Sequence, residues 1–232
     1  MVRKNVCDGD VLPKVEKYVA QVYNEAEVAK FMELIKGTDM ELPMMLDLVL
    51  GLRRSELLAL KWEHIDFENS IIHIKDNRVE VKKSISKERV VTKDPKSKSG
   101  KRDIPITDSF VAFLKNARKV YLENKMRLGS EFYDGDYVVC QHDGKPYKPA
   151  SMSSKFNKFL KKHNLKHIRL HDIRHTNATL MLAKGIATKT AQERLGHSDF
   201  STTMNTYSHV LDSVAKDAAN TIEDVLFTKI GG

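Results

Sequence analysis

Apolar residues recur at steps of three and four positions through most of this sequence, and glycines separate the runs. After Asn24, a residue type favoured at helix N-caps, apolar side chains follow this spacing as far as Gly37. Residues 42–50 form a second run that ends at Gly51, and residues 55–62 form a third. The same spacing occurs in residues 111–126, 151–163, 171–183, 188–195 and 210–227. A helical period of this extent predicts a mainly α fold.

Three segments near the middle of the chain depart from the helical pattern. Residues 70–75 interleave isoleucines with polar side chains, residues 79–92 are rich in β-branched and charged residues, and residues 101–106 resemble a further strand. A short strand is also predicted at residues 136–140. We therefore expect an α+β chain in which a small, strongly basic, antiparallel sheet of three strands is inserted among helices.

The length and composition are those of a globular protein and favour a single domain. The chain has 232 residues, of which 41% are hydrophobic and 30% are charged. Lys and Arg outnumber Asp and Glu by 39 to 31, a net charge of +8 that favours polyanions, although lysines scattered over a solvated face would give the same balance. Cys7 and Cys140 indicate neither a disulfide framework nor a zinc site. With no long apolar run at the N-terminus, these features predict a cytoplasmic protein.

The first segment whose side chains could take part in a reaction is residues 51–57, GLRRSEL. A glycine turn there presents Arg53 at the predicted start of a helix. A guanidinium can grip two phosphate oxygens, and a helix N-terminus adds N–H donors. Glu56 follows one helical turn later and could orient Arg53. By themselves the two side chains could equally form an ordinary surface ion pair.

The second segment, residues 95–105, is a basic hairpin tip that offers Lys96, Lys98 and Lys101. A lysine on such a turn could reach into a groove and donate a proton to a leaving oxygen. The composition is equally compatible with lysines that only contact phosphates.

The remaining two segments lie near the C-terminus. In residues 170–176, LHDIRHT, His171 and Arg174 fall one helical turn apart and could face one phosphate, whereas His175 could serve as a core histidine. In residues 195–209, His197 follows a glycine and Tyr207 comes ten residues later. A phenol becomes a useful nucleophile only when its proton is removed or its anion is stabilised, which neighbouring cations can do.

Taken in order, these segments resemble the tyrosine recombinases, or phage integrases, a family that uses an Arg, Lys, His/Arg, His and Tyr set in this sequence order. The resemblance extends from about Asn24 to Val210. Its most diagnostic stretches are LGHS at 195–198 with Thr202-Thr203 and YSH at 207–209, LHDIRHT at 170–176, and GLRRSEL at 51–57 with LKW at 60–62.

The resemblance implies a tyrosine recombinase catalytic domain that cleaves and rejoins double-stranded DNA with neither metal nor cofactor. Tyr207 would attack the scissile phosphorus, form a 3′-phosphotyrosyl link and release the 5′-oxygen. Arg53 and Arg174 would stabilise charge on the nonbridging oxygens. His171 and His197 would hydrogen-bond the phosphate, and His171 is the better candidate for handling the tyrosine proton.

The same resemblance assigns the general acid and its support. Lys98 would protonate the leaving 5′-oxygen, because residues 97–100 with Arg102-x-Ile104-Pro105 behind them look like the family's lysine-bearing turn. Lys96 is the alternative. Glu56 fits the family's buried acidic residue.

For domain organisation, we expect residues 1–13 to be a tail or linker remnant, residues 14–209 a catalytic domain and residues 210–232 a C-terminal helix. Full-length family members carry an N-terminal domain that clamps the other face of the duplex, and this chain begins too late to hold one, which suggests a truncation. The C-terminal helix could pack on its own domain or dock on a neighbouring subunit. The expected partners are therefore double-stranded DNA and, on it, other copies of the chain in a tetramer, in a bacterial cell or encoded by a phage or mobile element.

Three other activities are compatible with these residues. A type IB topoisomerase shares the tyrosine chemistry but relaxes supercoils. A catalytically silent DNA-binding module would keep the basic surface without the reaction. A metal-dependent nuclease would cut DNA without a covalent intermediate.

Overall fold

The computed structural model describes residues 20–80, 90–93 and 100–196. Its helices are α1 (Glu25–Ile35), α2 (Glu41–Leu50), α3 (Arg54–Leu57), α4 (Asp108–Leu128), α5 (Pro149–Lys162), α6 (Leu170–Ala183) and α7 (Thr188–Leu195). Its strands are β1 (Ile65–Asp66), β2 (Ile71–Ile74), β3 (Asn77–Glu80), β4 (Val90–Lys93) and β5 (Arg102–Pro105). The described chain is thus mainly helical with small antiparallel sheets, as the sequence predicts.

Helix α1 shows why the periodic segments fold locally as expected. The Asn24 side chain accepts a hydrogen bond from the Glu27 N–H, and the Glu27 carboxylate accepts one from the Asn24 N–H, both at 2.8 Å. This capping box satisfies two backbone N–H donors at the helix start. Phe31 and Ile35, one turn apart, are fully buried. The cap and the apolar stripe together set the position and orientation of the helix.

The β region differs from the prediction of one three-stranded sheet. Strands β1, β2 and β5 form an antiparallel sheet in the order β1-β2-β5, while β3 and β4 pair with each other in a separate two-stranded sheet. The predicted strand at residues 79–92 therefore contributes to two strands, β3 and β4, and β1 was not predicted. Alternating apolar residues reveal the presence of strands, but pairing partners depend on contacts between distant segments.

Two other predicted elements were wrong. The helical run at residues 55–62 is the four-residue helix α3 followed by a 3₁₀ turn at Trp62–His64, because residues 57–60 are all buried and a single apolar stripe is absent. Residues 136–140 form no strand and make only isolated bridges, Lys61 with Tyr137 and Cys140 with Pro146.

Helices α2 and α6 pack against each other in the core and carry polar residues between them. The Asn177 side chain of α6 donates to the Leu48 carbonyl of α2 at 2.6 Å. Helix α2 ends at Gly51, whose left-handed φ of 61° turns the chain towards α3. This turn places the start of α3 beside α6 and the end of α7.

The tail predicted at residues 1–13 and the helix predicted at residues 210–227 lie outside the described residues. Over the described ranges, no helix is both long enough and apolar enough to span a membrane.

Candidate active site

Arg53 and Glu56 are tied together at the start of α3. The Arg53 guanidinium meets the Glu56 carboxylate at 2.6 Å, and the Arg53 backbone N–H donates to the same carboxylate at 2.9 Å. The Glu56 side chain is only 1% exposed, whereas that of Arg53 is 35% exposed. The pair is therefore no ordinary surface ion pair, since a buried carboxylate holds an arginine that faces outward.

Two further arginines, from distant parts of the chain, also interact with the Glu56 carboxylate. Arg102, the first residue of β5, binds both carboxylate oxygens at 3.2 and 3.0 Å. Arg174 of α6 lies 3.8 Å from the carboxylate, and its side chain is 1% exposed. One negative charge is thus shared among three guanidinium groups, which leaves an excess of positive charge in the site.

These charges shift the pKa values of the buried groups. Burial alone would raise the pKa of Glu56, but hydrogen bonds and charge from Arg102, with help from Arg174, hold it below its usual range. Burial, reinforced by the charge of Arg53, lowers the pKa of Arg174 to about 9, which still leaves it protonated at neutral pH. Glu56 and Arg174 are therefore both ionised at neutral pH.

The last carbonyls of α7 and its C-cap are bound by the same three arginines. Arg102 Nε donates to the carbonyl of residue 194 at 2.7 Å, Arg174 to that of residue 195 at 2.7 Å, and Arg53 to that of residue 196 at 2.5 Å. Carbonyls at a helix C-terminus lack intrahelical partners and attract cations. The three arginines therefore position the point at which the chain leaves α7.

His171 lies in the first turn of α6, on the face that it shares with Arg174. Its ring is 5.1 Å from that of His175 and edge-on to it. The residue is exposed, but partial desolvation and the nearby His175 and Arg174 lower the pKa of His171 to about 4. His171 is therefore a neutral imidazole at physiological pH and can accept a proton. His175 is half-buried, in line with its alternative reading as a packed histidine.

Arg53 and His171 open into one cleft of about 650 Å³. Other basic residues of its lining come from separate elements, and they are Arg54, Arg78 and Arg169. Glu80 also contributes to the wall. A cleft with four arginines suits an anion with several oxygens, such as a phosphodiester.

The structure thus places Arg53, Glu56, His171 and Arg174 in one region, although they are separated by up to 121 residues of sequence. Lys96, Lys98, His197 and Tyr207 lie outside the described residues. Helix α3 has only four residues, so its N-terminus adds little to anion binding beside Arg53. No group of three or more metal-ligating side chains occurs within the described ranges.

Two residues of the site were not predicted. Arg102 had a place only in the motif of the lysine-bearing turn, yet it lies two residues before the fully buried Ile104, so both side chains are on the core side of β5. Asp47 sits in the apolar run of α2 and is 1% exposed near Arg174 and Glu56, and burial raises its pKa well above the usual range. A single charged residue within an apolar helix was the signal that could have identified it.

The family model described as the phage integrase family matches residues 21–213. The chain belongs to the phage integrase family. The family assignment confirms the resemblance seen in the motifs and covers all the described elements.

This phage integrase-family chain is similar to curated proteins over most of its length. It is 31% identical to a tyrosine recombinase XerC-like protein of Caldanaerobacter subterraneus subsp. tengcongensis, over 96% of this chain and 60% of that protein. It is 28% identical to the ICEBs1 integrase of Bacillus subtilis, over 97% of this chain and 60% of that protein. The chain therefore spans about 60% of the length of these relatives.

The fold of this integrase-family chain is also found among solved structures. The Tn1549 transposon integrase in complex with transposon right end DNA superposes with a TM-score of 0.71 at 24% identity, covering 94% of this chain and 72% of that one. XerA recombinase superposes with a TM-score of 0.64 at 21% identity, covering 88% of this chain and 66% of that one. These neighbours confirm the tyrosine recombinase catalytic-domain fold.

Proposed function

We propose that this chain is the catalytic part of a site-specific DNA recombinase that cleaves and rejoins double-stranded DNA through a 3′-phosphotyrosyl intermediate. The observation that carries the proposal is the convergence of Arg53 and Arg174 on Glu56, with His171 in the same cleft as Arg53. Relatives named as recombinase and integrase support the reaction class.

In the proposed reaction, Arg53 and Arg174 neutralise the charge that grows on the nonbridging oxygens as phosphorus becomes pentacoordinate. Preorganised cations in a partly desolvated site do this without reorganising during the reaction. Glu56 keeps the guanidinium of Arg53 oriented and is itself held ionised by its neighbours.

Proton transfer balances the two bond changes. The phenol of Tyr207 loses its proton to neutral His171 and attacks phosphorus, while the bond from phosphorus to the 5′-oxygen breaks. The leaving oxygen takes a proton from Lys98, with Lys96 as the alternative, and His197 donates a hydrogen bond to the phosphate. Attack by a 5′-hydroxyl on the phosphotyrosine reverses these steps and rejoins the DNA. The roles of the residues beyond the described ranges rest on the family motifs.

The test uses the 232-residue chain and a pool of nicked duplexes with randomised sequence, in which cleavage beside the nick releases a short fragment and traps the intermediate. Protein linked to the 3′ end is recovered under denaturing conditions and its DNA is sequenced. We expect covalent complexes that converge on one sequence, that survive a metal chelator and that disappear in Tyr207→Phe, with DNA binding nearly unchanged.

Other outcomes identify the alternatives. DNA binding without any covalent product indicates a silent binding module. Relaxation of supercoiled plasmid without strand exchange between sites indicates a topoisomerase. Cleavage that leaves no attached protein and stops in chelator indicates a metal-dependent nuclease.

Assembly into a tetramer on DNA and action in the bacterial cytoplasm belong to the same proposal and rest on the family resemblance. Residues 210–232, which could pack on their own domain or dock on a neighbouring subunit, lie outside the described residues.

A further inference from the structure

Arg102 lies at the end of a sheet, and its side chain is directed into the molecule. It pairs with Ile74 of the central strand β2, and its side chain is only 8% exposed. Ile104, two residues later on the same face, is fully buried. The backbone of Arg102 is therefore fixed by the sheet, and its side chain is directed into the molecule.

The guanidinium of Arg102 makes three directed hydrogen bonds inside the site. Its two terminal nitrogens bind the two oxygens of Glu56, and its Nε binds the carbonyl of Arg194 at the end of α7. A planar fork satisfies all three at once, whereas a lysine ammonium cannot match this geometry. The arrangement therefore depends on arginine and not on positive charge alone.

These contacts link Arg102 to the residues that would meet the phosphate. Glu56, with its two oxygens held by Arg102, in turn orients the side chain and the backbone N–H of Arg53. The neighbouring carbonyls of residues 195 and 196 accept hydrogen bonds from Arg174 and Arg53, respectively. Movement of Glu56 or of the end of α7 would thus displace Arg53 and Arg174, the two arginines proposed to stabilise the phosphate.

We propose that Arg102 is a positioning residue for DNA cleavage, which sets the aim of Arg53 and Arg174 through Glu56 and the last turn of α7. The proposal rests on the recombinase function proposed above. Arg102 acts through these neighbours and makes no contact with the phosphate itself.

The experiment compares wild type, Arg102→Lys and the control Arg127→Lys, an exposed arginine on α4. Single-turnover covalent attachment is measured on the nicked duplex recovered from the pool, made with either an ordinary scissile phosphodiester or a methylphosphonate. The methyl group removes one charged nonbridging oxygen, so the reaction depends less on the aim of the arginines. Equilibrium DNA binding and thermal unfolding are measured in parallel.

For Arg102→Lys we expect attachment to the phosphodiester to slow about tenfold or more, as small misplacements in an active site do. On at least one methylphosphonate diastereomer the loss should shrink to about threefold or less, because less charge must be stabilised. DNA binding should change by less than about twofold, and Arg127→Lys should match wild type on both substrates.

Equal losses on the phosphodiester and on both methylphosphonate diastereomers would contradict the proposal, because they would indicate a general structural defect. Glu56→Gln provides a second variant, since it breaks the same linkage, and it should show the same substrate difference. The double variant should lose little more than the stronger single variant. If both single variants unfold at the assay temperature, Arg102 serves the fold rather than the aim of the site and the proposal fails. Absence of covalent product from wild type would instead overturn the recombinase function.

Discussion

His171 combines a neutral ring with a position at the start of a helix. Asp172 accepts the N–H of Arg169 at 2.8 Å and so caps α6, which fixes the turn that carries His171. A helix N-terminus and the nearby Arg174 both favour the uncharged imidazole. An arriving phosphate would raise the pKa of His171 again, which suits a group that takes a proton only when DNA is bound.

The neutral state of His171 predicts a measurable pH dependence of stability. The folded imidazole has a pKa of about 4 instead of 6.5, so the unfolded state binds more protons between these values. The stability that neutral His171 contributes is therefore present above pH 6.5 and lost as pH falls towards 4. His171→Gln should reduce the change in the free energy of unfolding across this pH window. The reduction should be about 1 kcal/mol or less, since the residue is partly solvated.

Urea denaturation at a series of pH values measures this effect. His167→Gln, which removes an exposed histidine just before α6, is the matched control variant. A wild-type slope in His171→Gln would show that His171 is not held neutral by the fold.

Among the elements, the turn between α2 and α3 has no space for a side chain at Gly51. Gly51 has a left-handed φ of 61°, and a Cβ there would lie 2.4 Å from Leu195 Cδ2 and 2.7 Å from Asn177 Oδ1. The carbonyl of Gly51 also accepts a hydrogen bond from Arg174 at 2.7 Å. Helices α2, α6 and α7 thus meet at a position where only glycine fits.

Gly51→Ala is expected to destabilise the chain by about 3 kcal/mol, from left-handed strain and overpacking together. Gly37→Ala is a matched control, because Gly37 has a similar φ of 71° but open space around its Cβ position. It should cost only about 1 kcal/mol. Thermal or urea unfolding of both variants measures the difference, and equal losses would show that α6 and α7 do not crowd this turn.

For the whole molecule, the net charge of +8 is less informative than its distribution. Arginines from α3, β3 and the residue before α6 line the cleft that contains Arg53 and His171. Arg54 is exposed there and donates to Ser153 of α5 at 2.9 Å, which holds it at the wall of the cleft. We expect it to contact a backbone phosphate rather than a base.

Removal of one phosphate contact should change the salt dependence of DNA binding in a predictable way. Arg54→Ala should weaken binding to all sequences alike and reduce the slope of log affinity against log salt by about 1. Fluorescence anisotropy with labelled duplex over a range of salt concentrations measures the slope. Arg127→Ala, which removes the same charge from the exposed face of α4, should leave the slope unchanged. An equal change in both variants would mean that only net charge matters.

Local patterns were sufficient for most of the described helices and for the family. The apolar period of α1, α2, α5 and α6 and the N-cap at Asn24 depend on neighbouring residues, and the structure confirms them within a few positions. The ordered set of motifs was enough to identify the phage integrase family, because its residues are recognisable without coordinates.

Tertiary structure decided the rest, because contacts between distant segments leave no local period. It paired β3 with β4 apart from the main sheet, and it shortened the predicted helix after Gly51 to four residues. It also placed Arg102 and Arg174 around Glu56 and aligned three arginines with three consecutive carbonyls at the end of α7. The sequence alone shows the residue types and their order. The sharing of one carboxylate by three arginines arises only when the core brings α3, β5 and α6 together.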